Sequence, residues 1–120
     1  LIKSKVFNFM NSPGYDPVVV TGQVASGAYI ICFTKGRGSC FGFKPSPSIK
    51  LSTNTALFNK QEDDMDINCG SIVDGTASIE QVGQEIFDRI LEVASGDQSK
   101  SEQWGYGEDE FAPWVLGPTM

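Results

Sequence analysis

Histidine is absent from all 120 residues. That removes the side chain most used for proton transfer near neutral pH and for binding transition metals. Any imidazole that the chemistry needs must come from outside this sequence. Cysteine is scarce too: Cys32, Cys40 and Cys69 are an odd number and carry no C-x-x-C spacing. Such a count fits neither a cysteine-paired zinc site nor a complete disulfide framework, so a reducing cytoplasm is the expected compartment. No apolar run approaches the roughly 20 residues that span a bilayer, and no membrane partner is expected. Cations are outnumbered, with 9 Lys and Arg against 15 Asp and Glu, a net charge of −6. That balance argues against a nucleic-acid partner, which needs a basic face to neutralise phosphates. The sequence also has no initiator methionine, and Leu1-Ile2-Lys3 reads as the interior of a longer polypeptide.

What is present is an ordinary single-domain length and a composition of 40% hydrophobic and 20% charged residues, typical of a globular domain. The few cations are unevenly placed. Lys35, Arg37, Lys44 and Lys50 lie in a stretch without a single acid, whereas the acids dominate after Gln61. In that stretch the apolar run Tyr29-Ile30-Ile31-Cys32-Phe33 breaks into Thr34-Lys35-Gly36-Arg37-Gly38-Ser39, with Gly42 and two prolines following. A glycine-rich loop at the end of a strand gathers backbone N–H groups beside positive side chains, and small anions bind at such places in α/β domains. The loop is therefore a candidate site for an anion such as a carboxylate.

Residues 1–15 read as an extended lead-in, 16–96 as an α/β core and 97–120 as a tail that wraps the domain. Asp16-Pro17 suits a helix start, with Asp16 as N-cap and Pro17 in the first turn. Residues 29–34 read as a strand buried on both faces, with Cys32 in the core. Ser48 to Thr53 alternates apolar Ile49 and Leu51 with Lys50 and Ser52, a strand pattern. Asn54 caps a short helix, Ile67-Asn68 forms a brief strand, and Ile72 to Thr76 contains a turn. Ser78 with Gln81 makes a capping box. The helix that it opens carries Ile79, Val82, Ile86, Ile90 and Val93 on one stripe, widened by Phe87, Leu91 and Ala94, and ends at Gly96. Gly83 inside it predicts close packing against a strand. Alternating helix and strand signals predict an α/β fold: a small, mainly parallel sheet flanked by helices in Rossmann-like layering, with an extended C-terminal tail. In the tail, Trp104, Tyr106, Phe111 and Trp114 need apolar cover.

Several blocks together resemble one known family. They are Phe9-Met10-Asn11-Ser12-Pro13-Gly14-Tyr15-Asp16-Pro17, Thr21-Gly22-Gln23-Val24-Ala25-Ser26-Gly27-Ala28 and Cys32 to Ser39. Pro47 to Asn54, Asp64-Met65-Asp66-Ile67-Asn68-Cys69-Gly70 and Phe111-Ala112-Pro113-Trp114 complete the set, in order along nearly the whole chain. The resemblance is to the C-terminal region of the altronate and galactarate dehydratase family, which includes a sulfolactate sulfo-lyase. Asn68-Cys69-Gly70 and the Gly105-Tyr106-Gly107 to Trp114 ending look more like the altronate branch. The resemblance implies a cytoplasmic hydro-lyase of sugar-acid catabolism that uses a divalent metal, iron(II) or manganese. Altronate would give 2-dehydro-3-deoxygluconate. It further implies longer polypeptides, in which N-terminal and central domains complete the site and a homo-oligomer can form; the chain alone is expected to be inactive. Lys35 departs from the family pattern, in which a second threonine follows Thr34.

Elimination of water from a hydroxy acid removes the proton beside the carboxylate and expels the β-hydroxyl, so the developing enediolate needs fixed positive charge or a metal. Arg37 is the first candidate for gripping the carboxylate, since its planar fork binds one bidentately; its alternative is a loop arginine paired with the acidic run. Thr34, Gly36, Gly38, Ser39, Lys44, Thr53 and Asn54 complete the expected substrate-binding set, with Asn54 equally readable as a plain helix cap. Lys44 and Lys50 are weak catalytic candidates, because a desolvated lysine can act as base; Lys50 is otherwise a solvated strand face. Asp66 and Cys69 are weak metal candidates beside the run Glu62-Asp63-Asp64, which is otherwise a solvated helix end. A stand-alone sugar-acid or phosphate-binding module is a second reading. A nucleotide site on Gly36-x-Gly38 is a third, weakened because no helix start directly follows the loop.

Overall fold

A computed structural model describes residues 6–115. The elements in chain order are α1 (Asp16–Ala25), β1 (Ile31–Lys35), β2 (Ser48–Ser52), α2 (Thr55–Lys60), β3 (Ile67–Asn68), α3 (Gly70–Val73), α4 (Ile79–Ala94) and α5 (Lys100–Gln103). The strands form one sheet in the order β1-β2-β3, parallel throughout. Lys50 of β2 stands beside Phe33 of β1, and Ser52 stands between Lys35 and Asn68. This is the expected small parallel sheet with helices on its faces.

Register assigns each side chain to a face, because successive strand residues point to opposite sides. Ile49, Leu51 and Ile67 face α4 and pack with Val82 and Val93, with Ile86 and Ile90 partly buried against them. The capping box is formed: Gln81 N–H donates to Ser78 Oγ at 3.2 Å and Ser78 N–H to Gln81 Oε1 at 2.8 Å. The widened stripe is not filled, however. Ile79, Phe87 and Leu91 remain 69%, 54% and 51% exposed, since α4 covers only β2 and β3. Gly83 meets nothing within 4 Å and makes no close strand contact.

On the opposite face Val20 of α1 packs with Ile31, Phe41 and Phe43, and Phe33 stacks obliquely on Phe41 with ring centroids 5.1 Å apart. Tyr15 takes the N-cap position of α1, while Asp16 is its first helical residue and pairs with Lys35 Nζ at 2.6 Å. Residues 29–34 do not form a doubly buried strand. β1 is the sheet edge, with alternating burial, and Cys32 is exposed rather than core because α4 does not reach it.

The tail wraps the domain, as far as the described residues go. Ala112 N–H donates to Thr21 Oγ1 at 3.1 Å, and Trp114 Nε1 donates to the Val18 carbonyl at 2.7 Å. It is not wholly extended: a second capping box, Ser99 with Glu102, opens α5 across the polar face of β2. Ser101 Oγ there donates to the Ser48 carbonyl at 3.2 Å. The last residues of the predicted tail, 116–120, and the first of the lead-in, 1–5, lie outside the described residues.

Candidate anion site at the carboxyl end of the sheet

All three parallel strands end on the same side, so their following segments converge there: Gly36-Arg37-Gly38-Ser39 after β1, Thr53-Asn54-Thr55 after β2, and Cys69-Gly70 after β3. Asn54 ties two of them together. Its Oδ1 accepts from Leu57 N–H at 2.8 Å, capping α2, and its Nδ2 donates to the Gly36 carbonyl at 3.0 Å. Thr53 Oγ1 donates to the Lys35 carbonyl at 3.2 Å. Asn68 donates through Nδ2 to Thr55 Oγ1 at 3.0 Å and accepts from Gly70 N–H at 3.0 Å. Thr55 Oγ1 also donates to Asp74. Gly70 lies so close to α2 that a Cβ there would sit 2.1 Å from Thr55 N. The polar network Thr55, Asn68 and Asp74 was not anticipated from the sequence; Asn68-Cys69-Gly70 flagged its neighbourhood only through the family pattern.

The expected substrate-binding residues divide into three groups. Arg37 and Gly38 make no hydrogen bond among the described residues, and Arg37 is exposed with no ion pair. Arg37 stands exposed beside Gly36, whereas Gly38, at φ +100, is covered by the Gln61 side chain, whose Oε1 would sit 2.0 Å from a Cβ there. The expected alternative, Arg37 paired with the acidic run, is not formed. Ser39, Thr53 and Asn54 are committed to the backbone: Phe41 N–H donates to Ser39 Oγ at 3.0 Å, and the other two are described above. Thr34 lies one strand residue away, exposed on the α4 side of β1. Lys44 is remote from the group, paired with Glu108 on the surface. Lys35 is held by Asp16 and lies 4.6 Å over the Phe33 ring, so the departure from threonine adds no free cation to the loop.

Lys50 is not a solvated strand residue. Its side chain is 0% exposed, beneath the loop and the tail. Nζ donates to the Ser39 carbonyl at 3.2 Å, lies 3.9 Å from Asp64 Oδ1, and is 5.7 Å from the Tyr106 ring centroid. Burial lowers its pKa from the ordinary lysine range, opposed by the charges of Asp64, Asp66, Cys40 and Glu110. Burial also raises the Glu110 carboxyl above its usual range, opposed by the Gly42 backbone and the Lys50 charge. The tail closes over Lys50 tightly, with Gly107 at φ +103 and a Cβ there 2.7 Å from the Gly42 carbonyl carbon. In this arrangement the Lys50 ammonium is enclosed by the Ser39 carbonyl, Asp64 and Tyr106.

Asp66 and Cys69 do not fit a metal. The Asp66 side chain is 1% exposed, and its oxygens accept from Lys50 N–H at 2.7 Å and Lys100 N–H at 3.0 Å. Cys69 opens α3, with its thiol pushed up by burial and by Glu85. Among the described residues no three His, Cys, Asp or Glu side chains converge as a metal-binding group. The acidic run is a structural seam: Lys100 Nζ donates to the Glu62 carbonyl, and Trp104 Nε1 to that of Asp63 at 3.0 Å. No helix among the described residues is long and apolar enough to cross a membrane.

Known proteins place this geometry in context. The galactarate dehydratase (L-threo-forming) of Escherichia coli K12 is 47% identical over 95 residues, which cover 78% of this chain and 18% of that protein. The altronate dehydratase of Bacillus subtilis 168 is 32% identical over 120 residues, covering 100% of the chain and 24% of that protein. The altronate dehydratase of Escherichia coli K12 is 30% identical over 107 residues, covering 89% and 21%. Identity therefore does not favour the altronate branch over the galactarate one. The chain spans about a fifth of the length of the curated relatives it matches. The family described as D-galactarate/altronate dehydratase, C-terminal, matches residues 1–119, and the chain belongs to that family as its C-terminal domain.

Proposed function

We propose that this chain is the C-terminal part of a sugar-acid hydro-lyase and that Gly36, Arg37 and Gly38 form a carboxylate-binding wall of its active site. The observation that carries the reading is an exposed arginine, without a partner among the described residues, in a glycine turn at the carboxyl end of a parallel sheet, where ligands of open α/β sheets bind. In this reading the Arg37 guanidinium and the loop amides hold the substrate carboxylate. They hold it in place while the α-proton leaves and the β-hydroxide departs, a grip on substrate and transition state alike. Galactarate is the first substrate to test, on the 47% identity, and altronate the second. Sulfolactate remains a third.

The general base and the divalent metal, iron(II) or manganese, belong in this reading to other parts of a longer polypeptide, because the described residues bring no donor set together. We place the protein in the cytoplasm, where its three free thiols stay reduced. The experiment is turnover of galactarate and altronate, with iron(II) or manganese added, by the complete polypeptide and by these 120 residues alone. Water elimination by the complete polypeptide only is the expected result. Turnover by the 120 residues alone would refute the divided site, and no turnover of either acid by either protein would refute the proposed water elimination.

A further inference from the structure

We propose that Lys50 is a positioning residue: from the centre of β2 its ammonium holds the Ser39 carbonyl and so fixes the loop that binds the sugar acid. The link to the sugar acid rests on the function proposed above; the anchoring of the loop stands on the contacts alone. A buried ammonium is a poor way to stabilise a sheet, since an apolar side chain of similar volume fills the space without losing hydration. What the ammonium adds is a directed donor onto one loop carbonyl, at 3.2 Å. Everything facing it converges on that arrangement: Ser39 and Cys40 from the loop, Asp64 and Asp66 from the segment before β3, Tyr106 and Glu110 from the tail. The anchored loop begins at Arg37-Gly38, the two positions that make no hydrogen bond of their own among the described residues. Thr53 and Asn54 hold the Lys35 and Gly36 carbonyls on the near side of Arg37, and the Lys50 bond to the Ser39 carbonyl holds the far side. Burial that lowers the Lys50 pKa makes the anchor weaken at a pH below that of an ordinary lysine.

Hydrogen–deuterium exchange on the complete polypeptide tests this directly. The reporter is residues 39–44, in which Phe41 N–H bonds Ser39 Oγ and Lys44 N–H bonds the Gly107 carbonyl. Lys50→Met is expected to lower protection there on the order of tenfold or more, the scale of one charged hydrogen bond, and to leave α4 unchanged. Lys50→Arg is expected to restore it. In the wild type, protection of 39–44 should fall as pH rises toward the ordinary lysine range. It should stay flat in Lys50→Arg and still fall in Cys40→Ala, which removes the neighbouring thiol from consideration. Unchanged protection in Lys50→Met, or a loss spread evenly into α4, overturns the anchor. Should Lys50→Met fail to fold, a pH-independent wild-type loop overturns it equally. In the same proteins the sugar-acid KM is expected to rise about tenfold in Lys50→Met with kcat held. A loosened loop with unchanged KM overturns the positioning role. A wild type without turnover refutes the proposed function and leaves the exchange result to decide the anchor.

Discussion

Removing the Asp66 carboxylate should cost more stability than any other single charge removal among the described residues, because both of its oxygens are spoken for inside the fold. One accepts from Lys50 N–H at 2.7 Å and the other from Lys100 N–H at 3.0 Å, with the side chain 1% exposed. Each is a hydrogen bond to a charged acceptor, worth about 1.5–3 kcal/mol, and truncation also leaves two amide donors without partners. Arg89 at 4.0 Å, partly solvated, adds little. Asp66→Ala is therefore expected to lose roughly 3–5 kcal/mol, a large share of the ~5–15 kcal/mol typical of a domain. Asp66→Asn keeps one acceptor and turns a donor toward the other amide, so it should lose about 2 kcal/mol. Urea unfolding followed by tryptophan fluorescence measures both. Stability within about 0.5 kcal/mol of wild type in Asp66→Asn, together with a clear loss of manganese or iron(II) binding by the complete polypeptide, would refute the structural assignment and restore Asp66 as a ligand.

Arg37→Ala, at a side chain with no partner among the described residues, should raise the sugar-acid KM of the complete polypeptide about tenfold and leave its melting temperature unchanged. A lowered melting temperature with KM intact would make Arg37 structural instead. Two glycines, one tightly placed against backbone and one in open space, should respond with opposite signs in the same urea assay. Gly70→Ala forces a Cβ to 2.1 Å from Thr55 N and should lose about 3 kcal/mol or more, whereas Gly83→Ala meets open space in α4 and should gain about 0.5–1 kcal/mol. The pH dependence of stability carries its own sign. Lys50 has a lowered pKa in the fold, so between that value and the ordinary lysine range the unfolded chain binds more protons. Wild-type stability relative to Lys50→Met should accordingly rise with pH through that window and be constant below it. The raised Cys32 and Cys69 thiols act with the opposite sign, but both proteins share them and the comparison cancels their effect. A relative stability that falls across the window would contradict the buried ammonium.

The ends of α4, the cap of α2 and the strand positions were legible, because their signals are local, whereas Tyr15 and not Asp16 caps α1. Ser78 with Gln81 and Gly96 at φ +114 frame α4, and Asn54 caps α2, each through contacts spanning a few residues. The candidate site was legible in part: Arg37 stands exposed where strand ends converge, but Gln61 covers Gly38, and Ser39, Thr53 and Asn54 spend their polar atoms on the backbone. Lys44 was misplaced because its partner, Glu108, is distant in sequence. Cys32 was misassigned because an apolar run has the same composition in a covered central strand and in a sheet edge.

Sequence alone determined the class of the fold, the caps of α2 and α4, the glycine-rich turn after β1 and, through its blocks, the family. Those properties depend on neighbours within a turn or on residue order along the chain. Which face of each strand is covered was decided only by tertiary structure. The alternation Ile49-Lys50-Leu51-Ser52 is compatible with a wet face or a dry one. It became dry because α5 and Tyr106, about fifty residues downstream, fold back over it. A lysine that reads as solvated in sequence thus becomes a buried ammonium under the loop, because desolvation is set by what packs against a residue and not by what adjoins it.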